Sequence, residues 1–316
     1  MINEEASTMK NKSSRNKTID FPLEEGKKYL DKCIYMDHLT KQTDYKNQFI
    51  IGNCLDVMDK LPNKFVDLLI VDPPYNLAKE YHGNKFNSQS REDYRKSTIQ
   101  WLDKTLPLLK DTATIYVCCD WKSSLVIGDV LYQYFHVRNR ITWQREKGRG
   151  AKTNWKNGME DIWFATMGSE YTFNLEDVKI RKKVIAPYKE NGKPKDWEET
   201  DSGNYRNTCP SNFWDDISIP YWSMPENTGH PTQKPEKLLA KLILASSNVG
   251  DMILDPFAGS GSTAVTAKKL NRNYVAIEMN ELYGAWAQKR LEMAEEDPSI
   301  QGYRDQVFWE RNTRMT

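Results

Sequence analysis

Short apolar runs alternate with amphipathic stretches along most of the chain after residue 47. The runs Val66–Val71 and Ala113–Cys119 contain few polar side chains, which is typical of strands that are buried on both faces. Similar runs predict further strands at Phe49–Ile51, Arg138–Trp143, Asp161–Thr166, Met252–Leu254 and Tyr274–Ile277. Apolar residues at helical spacing predict helices at Cys54–Lys60, Thr98–Leu109, Val126–Phe135, Lys234–Ser246, Ser262–Leu270 and Glu281–Ala294. This alternation predicts an α/β fold with a doubly wound, mostly parallel sheet that is covered on both faces.

The pattern divides the chain into four segments. Residues 1–46 are polar and have no sustained period, which predicts a flexible leader. Residues 47–186 and 226–316 carry the strands and helices, and we interpret them as two halves of one domain, the second ending in a C-terminal tail. Residues 187–225 hold Pro, Gly, Asn, Asp and aromatic residues with little periodicity, which predicts a loop-rich insertion between the halves.

Composition narrows the class of protein. A chain of 316 residues with 39% hydrophobic content suffices for one large domain with its own core. No apolar stretch is long enough to cross a bilayer and the N-terminus lacks the apolar core of a secretory signal, so we expect a cytoplasmic location. The five cysteines show neither paired spacing nor an even count, which predicts reduced thiols and implies no metal site.

A glycine-rich turn follows the predicted strand at Met252–Leu254 and opens a helix. Within Asp255–Thr263, Gly259 and Gly261 allow the backbone to approach a ligand closely, and the helix N-terminus offers free N–H groups. Glu278 ends the next strand, at the distance where an acid binds ribose hydroxyls in nucleotide-binding folds. A Walker phosphate loop is excluded because no Gly-Lys-Ser/Thr follows. The turn alone is also compatible with a nicotinamide-dependent oxidoreductase or with simple packing.

A second motif follows the buried strand Val66–Val71 and consists of Asp72, Pro73, Pro74 and Tyr75. The two prolines force an extended turn that presents a carboxylate, a carbonyl and an aromatic ring at a strand end. An exocyclic amino group on a base is a poor nucleophile and becomes activated when both its hydrogens meet acceptors. Asp72 and the Pro73 carbonyl suit that role, and Tyr75 can stack on the base. A plain Asp-Pro turn is the alternative, and an oxidoreductase would leave the motif unexplained.

Both motifs together resemble those of the amino-methyltransferases of bacterial restriction-modification systems, which methylate adenine N6 or cytosine N4. The Asp72–Tyr75 motif is similar to their catalytic motif, and Phe257–Gly261 to their cofactor loop. The catalytic motif comes first here, as in the permuted group called beta, so the resemblance implies the S-adenosylmethionine-dependent methyltransferase fold with permuted motif order. Further similar stretches are Ile51–Asp56, His230–Pro235 and Tyr274–Glu278.

The resemblance implies S-adenosylmethionine as cofactor and a set of residues that bind it. Asn53 departs from the family pattern, which usually has Asp at that position. The implied catalytic residues are Asp72, Pro73, Pro74 and Tyr75. The implied cofactor-binding residues are Asn53, Cys54, Thr232, Lys234, Asp255, Phe257, Ala258, Gly259, Ser260, Gly261, Thr263 and Glu278.

A basic stretch is the predicted DNA contact, although a solvated surface is the alternative interpretation. Between residues 138 and 156 there are seven basic residues against the single acid Glu146, interleaved with Trp143 and Trp155. The residues expected to contact DNA phosphates are Arg145, Lys147, Arg149, Lys152 and Lys156. In the resembling family the region between the halves carries target recognition, so 187–225 is expected to read bases, with Asn204, Arg206, Asn207 and Asn212 as suitable side chains.

The sequence therefore predicts a site-specific methyltransferase that modifies adenine N6 in a short duplex sequence after flipping the base out of the helix. Cytosine N4, an RNA base or a protein glutamine amide remain alternative acceptors, and a non-catalytic DNA-binding protein is the alternative from another class. A homodimer and a cognate restriction endonuclease in the same system are the further expected partners.

Overall fold

The computed structural model describes residues 13–40, 42–76, 79–81, 84–86, 89–145, 152–184, 188–201 and 203–310. The helices within these residues are α1 Leu23–Leu30, α2 Cys54–Met58, α3 Arg91–Thr105, α4 Ser124–Tyr134, α5 Glu236–Ser246, α6 Ser262–Lys269 and α7 Glu281–Glu296. The strands are β1 Ile34–Tyr35, β2 Gln48–Ile51, β3 Val66–Val71, β4 Lys79–Tyr81, β5 Asn84–Phe86, β6 Leu109–Cys119, β7 His136–Gln144, β8 Met159–Thr166, β9 Ile180–Lys183, β10 Lys189–Glu190, β11 Lys193–Pro194, β12 Glu198–Thr200, β13 Gly203–Thr208, β14 Phe213–Trp214, β15 Met252–Asp255, β16 Asn273–Glu278, β17 Tyr303–Arg304 and β18 Val307–Trp309.

Nine of these strands form the main sheet, in the order β1-β2-β16-β15-β3-β6-β8-β7-β14. All neighbouring pairs are parallel except those of β8, which runs antiparallel to both β6 and β7. The predicted α/β fold with a mostly parallel, doubly wound sheet is confirmed.

The sheet is buried on both faces because alternate side chains of its central strands enter two different hydrophobic clusters. Leu68 and Ile70 of β3 pack with residues of α5, α6 and α7. Leu69 and Val71 of the same strand pack with residues of α2, α3 and α4 on the opposite face. This explains why the central strands appear in the sequence as continuous apolar runs.

Strands β3 and β15 are parallel neighbours, in register at Ile253 with Leu68 and at Leu254 with Leu69. The catalytic motif follows β3 and the glycine-rich turn follows β15, so both emerge at the same edge of the sheet. Although Tyr75 and Asp255 are 180 positions apart in the chain, the pairing of β3 with β15 brings the two turns side by side, as ligand sites at the carboxyl ends of parallel strands require.

The leader differs from the prediction, because its described residues are docked on the domain. Helix α1 packs against α7, and a Cβ on Gly26 would come within 2.8 Å of the Ala285 Cβ. The indole N–H of Trp286 donates to the carbonyl of Phe21, and β1 extends the main sheet beside β2. Scattered apolar residues such as Leu30 suffice for this docking because their partners lie on distant elements that periodicity within the leader does not reveal.

The insertion also differs from the prediction of loops alone. Strands β9, β12 and β13 form a small antiparallel sheet that begins before residue 187, and the C-terminal strand β18 pairs with β9. The sheet order is β12-β13-β9-β18-β17. These strands are rich in Lys, Arg and Asn and are partly exposed, so they lack the alternation by which strands are recognised.

Three helices begin at other residues than predicted, and one of them, α4, begins two residues earlier, at Ser124. Helix α3 begins at Arg91 because the Ser90 hydroxyl accepts from the Asp93 N–H at 3.1 Å and caps it. Helix α5 begins only at Glu236, since Pro235 has extended backbone and a proline disfavours helical backbone at the residue before it. None of the helices in the described part of the chain combines the length and apolar character of a bilayer span.

Candidate active site

A cavity of about 410 Å³ opens at the edge of the sheet where β3 and β15 end. Its lining includes the catalytic motif from Asp72 to Tyr75, the turn from Asp255 to Ser260, and Glu278. The volume lies in the range of roughly 300–1,000 Å³ that is common for small-molecule sites. The structure thus brings the two predicted motifs together in one cavity.

The Asp72 carboxylate has one oxygen bound and one oxygen unpartnered. Oδ2 accepts from the Lys234 ammonium at 2.6 Å. Oδ1 is buried and has no hydrogen-bond partner among the described residues. Leaving a buried carboxylate oxygen unpaired costs free energy, so such an atom indicates an acceptor that is kept for a ligand. The two prolines hold this carboxylate at the strand end, with Pro73 buried and Pro74 exposed.

Tyr75 is fixed at both its hydroxyl and its ring. The hydroxyl donates to Oε2 of Glu160 at 3.1 Å, and the Lys234 ammonium lies 5.2 Å from the ring centroid. Burial, together with the negative charges of Asp72 and Glu160, raises the pKa of Tyr75 well above its usual value. The phenol is therefore a neutral donor that holds its ring in a defined orientation at the cavity wall.

Glu160 on β8 is a residue of this site that sequence reasoning missed. Its Oε1 accepts from Arg145 at 2.5 Å and its Oε2 lies 3.4 Å from the Lys234 ammonium. Burial alone would raise the pKa of Glu160, but the charges of Lys234 and Arg145 and the Tyr75 hydroxyl outweigh it and lower the pKa. The available signal was a pair of acids, Glu160 and Asp161, at the start of a mostly apolar strand.

Lys234 is predicted to bind the cofactor, and its ammonium lies at the catalytic motif. Burial would lower its pKa, but Asp72 and Glu160 raise the pKa above its usual value, so Lys234 is a permanent cation. The residue also borders the cavity, so the predicted cofactor contact stays a prediction. Its place just before α5 lets the side chain reach between the two carboxylates.

The glycine-rich turn is shaped by two left-handed residues. Gly259 has φ +53 and Gly261 has φ +75. A Cβ on Gly261 would approach the Ala287 Cβ to 2.6 Å, so only glycine fits there. Behind the turn, the buried Arg290 donates to the Ser260 carbonyl at 2.8 Å and to the Ser262 hydroxyl at 2.9 Å. Sequence reasoning did not identify Arg290, which lies within an amphipathic helix.

Glu278 and Asn53 hold the cofactor side of the cavity through backbone contacts. Glu278 accepts from the Gly259 N–H at 2.8 Å and from the Asn280 N–H at 2.9 Å. Burial raises the pKa of Glu278, and these N–H groups partly counteract it. Asn53 caps α2 by accepting from the Leu55 N–H at 3.0 Å, which its amide oxygen does as well as a carboxylate.

Asp255 is a buried carboxyl at the end of β15. It accepts from the Phe257 N–H at 3.0 Å, and Thr263 is a further hydrogen-bond partner. Burial, reinforced by the charges of Asp72 and Glu278 and partly offset by those hydrogen bonds, raises the pKa of Asp255 to about 7. Its charge is therefore sensitive to a ligand that brings its own charge into the cavity.

The remaining predicted cofactor residues surround the same cavity. The Phe257 ring packs edge-on against Trp101, with 6.1 Å between the ring centroids. The Ala258 N–H donates to the Ile277 carbonyl. Burial raises the pKa of the Cys54 thiol to about 12. His230 accepts from the Thr232 N–H at 3.4 Å and packs against Tyr283 and beside Gly259. The cavity lining includes Cys54, Thr232, Phe257, Ala258, Ser260 and Thr263.

The basic stretch is divided between different environments. Arg145 is predicted to contact phosphate, and its guanidinium forms an ion pair with the buried Glu160. Its contact with DNA stays a prediction. Lys152 and Lys156 are exposed, as a phosphate contact requires. Lys147 and Arg149 lie outside the described residues.

The polar side chains expected to read bases also differ from one another. Asn207 accepts from Arg181 at 3.2 Å, and Asn212 donates to the Arg140 carbonyl at 3.0 Å, so both have partners within the protein. Arg206 is exposed on β13 and ion-pairs with Asp196 at 3.3 Å. Asn204 lies on the same strand and is half-buried. Base reading by these residues stays a prediction.

Comparison with known proteins agrees with this geometry. A family model described as DNA methylase, for N6 and N4 methyltransferases, matches residues 66–289. The Type II methyltransferase M.HpaI of Haemophilus parainfluenzae is 33% identical over 250 residues, which cover 78% of this chain and 74% of that protein. The DNA adenine methyltransferase YhdJ of Escherichia coli (strain K12) is 32% identical over 256 residues, covering 78% of this chain and 82% of that protein.

Solved structures agree in fold. The M1.HpyAVI–SAM complex superposes with a TM-score of 0.53 at 22% identity, covering 77% of this chain and 98% of the other. The cytosine-N4-specific PvuII DNA methyltransferase gives a TM-score of 0.55 at 15% identity, covering 79% and 92%.

The family match extends over both halves of the sheet and includes both motifs that line the cavity. The resemblance seen in the sequence is thereby confirmed. The chain belongs to the DNA methylase family of N6 and N4 methyltransferases.

Proposed function

We propose that this protein transfers a methyl group from S-adenosylmethionine to the exocyclic N6 of an adenine within a short sequence of duplex DNA. The observation that carries the proposal is the buried, unpartnered Oδ1 of Asp72 at the wall of a cavity that the cofactor turn also lines. One carboxylate oxygen is held by Lys234 and the other is open to one hydrogen of an incoming amine.

The activation of the amine follows from this geometry. An aromatic amine is a weak nucleophile because its lone pair is delocalised into the ring. Hydrogen bonds from its two hydrogens to Asp72 Oδ1 and to the Pro73 carbonyl would localise that lone pair on nitrogen. Tyr75, held by Glu160, offers its ring to the plane of the flipped base.

The cavity residues suit S-adenosylmethionine as the methyl donor. It supplies a methyl group already activated by a positive sulfonium. Asp255 offers a buried carboxylate for its positive charge and Glu278 a half-buried one for the ribose hydroxyls, and Phe257 and Ile277 offer apolar contacts. The SAM complex of M1.HpyAVI, which shares the fold, supports this choice. Positioning and electrostatics by these residues suffice for an in-line displacement.

Adenine rather than cytosine is the proposed acceptor. The two bases present the same amine hydrogens to Asp72 and Pro73, so pocket size must discriminate between them. The leading Asp72 and the likeness to the adenine methyltransferase YhdJ support adenine. The structural likeness to the cytosine-N4-specific PvuII enzyme concerns the fold alone.

The proposal also concerns the biological system, the assembly and the DNA contacts of the protein. The likeness to Type II methyltransferases supports a place in a restriction-modification system, with a cognate endonuclease that recognises the same sequence without required physical contact. We expect the reaction in the cytoplasm, and a homodimer remains the expected assembly. Lys152 and Lys156 are the described residues proposed to contact DNA phosphates, and the small sheet around β13 is proposed to read the target sequence.

The test is product identification. Unmethylated duplex DNA is incubated with purified protein and methyl-labelled S-adenosylmethionine, digested to nucleosides and separated by mass. We expect the label in N6-methyladenine. Label only in methylcytosine would contradict the acceptor while leaving the fold and Asp72 assignments intact. Label in RNA or protein, but never in DNA, would overturn the proposal.

A further inference from the structure

Four charged side chains at the catalytic motif form one charge cluster: Asp72, Lys234, Glu160 and Arg145. The two cations and two anions balance, and three of the four side chains have no more than 22% of their surface exposed. A balanced cluster of buried charges is costly to assemble and is more costly when one member is removed. Only Asp72 and Lys234 of these four line the cavity.

Glu160 connects the members of this cluster to Tyr75. Its Oε2 accepts from the Tyr75 hydroxyl at 3.1 Å and lies 3.4 Å from the Lys234 ammonium, while Oε1 binds Arg145 at 2.5 Å. The side chain is only 6% exposed, whereas its partner Tyr75 and the neighbouring Asp72 and Lys234 border the cavity. An effect of Glu160 on methyl transfer would pass through the groups that it holds.

We propose that Glu160 is a positioning residue for methyl transfer, which fixes the Tyr75 ring and holds Lys234 so that only one oxygen of Asp72 is occupied. This rests on the proposed function. The geometry gives the reason: Lys234 lies between two carboxylates, 2.6 Å from Asp72 and 3.4 Å from Glu160. Without the charge of Glu160, Asp72 is the one described carboxylate within ion-pair distance of Lys234, and the open oxygen would be drawn toward that cation.

The hydrogen bond between the Tyr75 hydroxyl and Glu160 fixes the ring on which the flipped base is proposed to stack. The Tyr75 ring is attached to a turn with two prolines, and its hydroxyl is anchored by the bond to Glu160. When that hydrogen bond is removed, the ring can leave the orientation in which it meets the flipped base. Misplacement of a reacting group by about 1 Å can reduce the rate roughly 100-fold. The predicted effect therefore concerns the transfer step, not the affinity for cofactor.

Asp161 provides a matched control because it is the next residue of β8 and points away from Glu160. It is equally buried, and its carboxylate accepts from the Thr142 hydroxyl at 2.9 Å and lies 3.8 Å from Arg140. Asp161→Asn thus removes a buried negative charge from the same strand without touching the charge cluster. A role of Glu160 in folding alone would be shared by this neighbour.

The experiment measures single-turnover methyl transfer to unmethylated duplex DNA for the wild type, Glu160→Gln, Tyr75→Phe, the double variant and Asp161→Asn. Binding of S-adenosylmethionine is measured by calorimetry and folding by thermal unfolding. We expect Glu160→Gln to transfer roughly 100-fold more slowly with unchanged cofactor affinity, and Asp161→Asn to transfer at the wild-type rate. Gln has one acceptor oxygen where Glu has two, and Arg145 and the Tyr75 hydroxyl use different oxygens of Glu160. With the amide oxygen on Arg145, both changes remove the same hydrogen bond, so the double variant should be no slower than Glu160→Gln.

Glu160→Asp covers the case in which Glu160→Gln does not fold. It keeps the charge that balances the cluster but withdraws the carboxylate from the Tyr75 hydroxyl by one methylene, and we expect transfer to be about tenfold slower. A wild-type rate in Glu160→Gln or Glu160→Asp, or reductions that multiply in the double variant, would overturn the assignment. If the wild-type protein methylates no DNA, the proposed function fails and the role of Glu160 is rejected with it.

Discussion

The two sides of the cavity are built by different means. On the cofactor side, the turn after β15 is shaped by left-handed glycines, and side chains hold it through its backbone groups: Glu278 accepts from the Gly259 N–H and Arg290 donates to the Ser260 carbonyl. On the catalytic side, the turn after β3 is held by charged side chains from distant parts of the chain, with Lys234 and Glu160 at its centre. A rigid backbone matches the shape of a bound cofactor. The carboxylate that accepts hydrogen bonds from the amine needs a defined charge and orientation, which the neighbouring charged side chains provide.

The largest effect should come from Asp72→Asn, which keeps the size of the side chain and removes the charged acceptor. We expect methyl transfer to fall by roughly 10³-fold, because the amide can direct N–H donors at the amine hydrogens. Cofactor affinity should remain close to wild type, since Asp72 belongs to the catalytic side. Methyl transfer to DNA and calorimetric binding of S-adenosylmethionine check both statements. Near-normal turnover would remove Asp72 from the mechanism.

On the cofactor side, Gly261→Ala should break the turn. Alanine would have to adopt φ +75 at this position, and its Cβ would lie 2.6 Å from the Ala287 Cβ. Gly250→Ala is the matched control, because Gly250 has φ +86 with no atom within 4 Å of an added Cβ. We expect both variants to lose about 1 kcal/mol of unfolding free energy from backbone strain, and Gly261→Ala to lose more and to bind cofactor poorly. Equal cofactor affinity in the two variants would contradict this account of the turn.

A smaller effect is expected from pH, through Asp255. Its pKa is raised to about 7, so the carboxyl is mostly protonated below that pH and ionised above it. The ionised form attracts a positive sulfonium, so S-adenosylmethionine should bind several-fold more tightly as the pH rises from about 6 to about 8. S-adenosylhomocysteine, which lacks the sulfonium charge, should show a weaker dependence. Asp255→Asn should remove the difference between the two ligands, as titration calorimetry at several pH values would reveal.

The smallest effect concerns the exposed lysines Lys152 and Lys156. Replacing both by alanine should reduce the slope of log affinity against log salt by roughly two, because each phosphate that is no longer neutralised lowers the slope by about one. The transfer rate at saturating DNA should not change, because neither residue belongs to the charge cluster. Fluorescence anisotropy of labelled duplex DNA at several salt concentrations gives the slope. A slope equal to wild type would place these lysines on a solvated surface.

The contrast between the two sides also explains what the sequence could predict. The turn from Asp255 to Gly261 and the motif from Asp72 to Tyr75 were recognisable because they are contiguous and their chemistry follows from residue type. The turn and the motif lie side by side because β15 and β3 are parallel neighbours, and parallel strands end at the same edge of the sheet.

The interactions that the sequence did not reveal depend on distance in the chain. Glu160 and Tyr75 are 85 residues apart, and Lys234 and Asp72 are 162 apart, so no local pattern signals either pair. The ion pair of Arg145 with Glu160 was missed for the same reason, because only the charge of Arg145 was visible in the sequence. The docking of α1 on α7 and the pairing of β18 with β9 were missed because those segments are short and their partners are remote.

The most direct test of the central claim identifies the atom that receives the methyl group. Duplex DNA with a heavy nitrogen isotope only at adenine N6 is treated with the protein and S-adenosylmethionine that carries a heavy-carbon methyl group. We predict a direct coupling between the labelled carbon and the labelled nitrogen in the nuclear magnetic resonance spectrum of the digested product, and none with Asp72→Asn. A methyl group incorporated into the DNA without that coupling would contradict the claim.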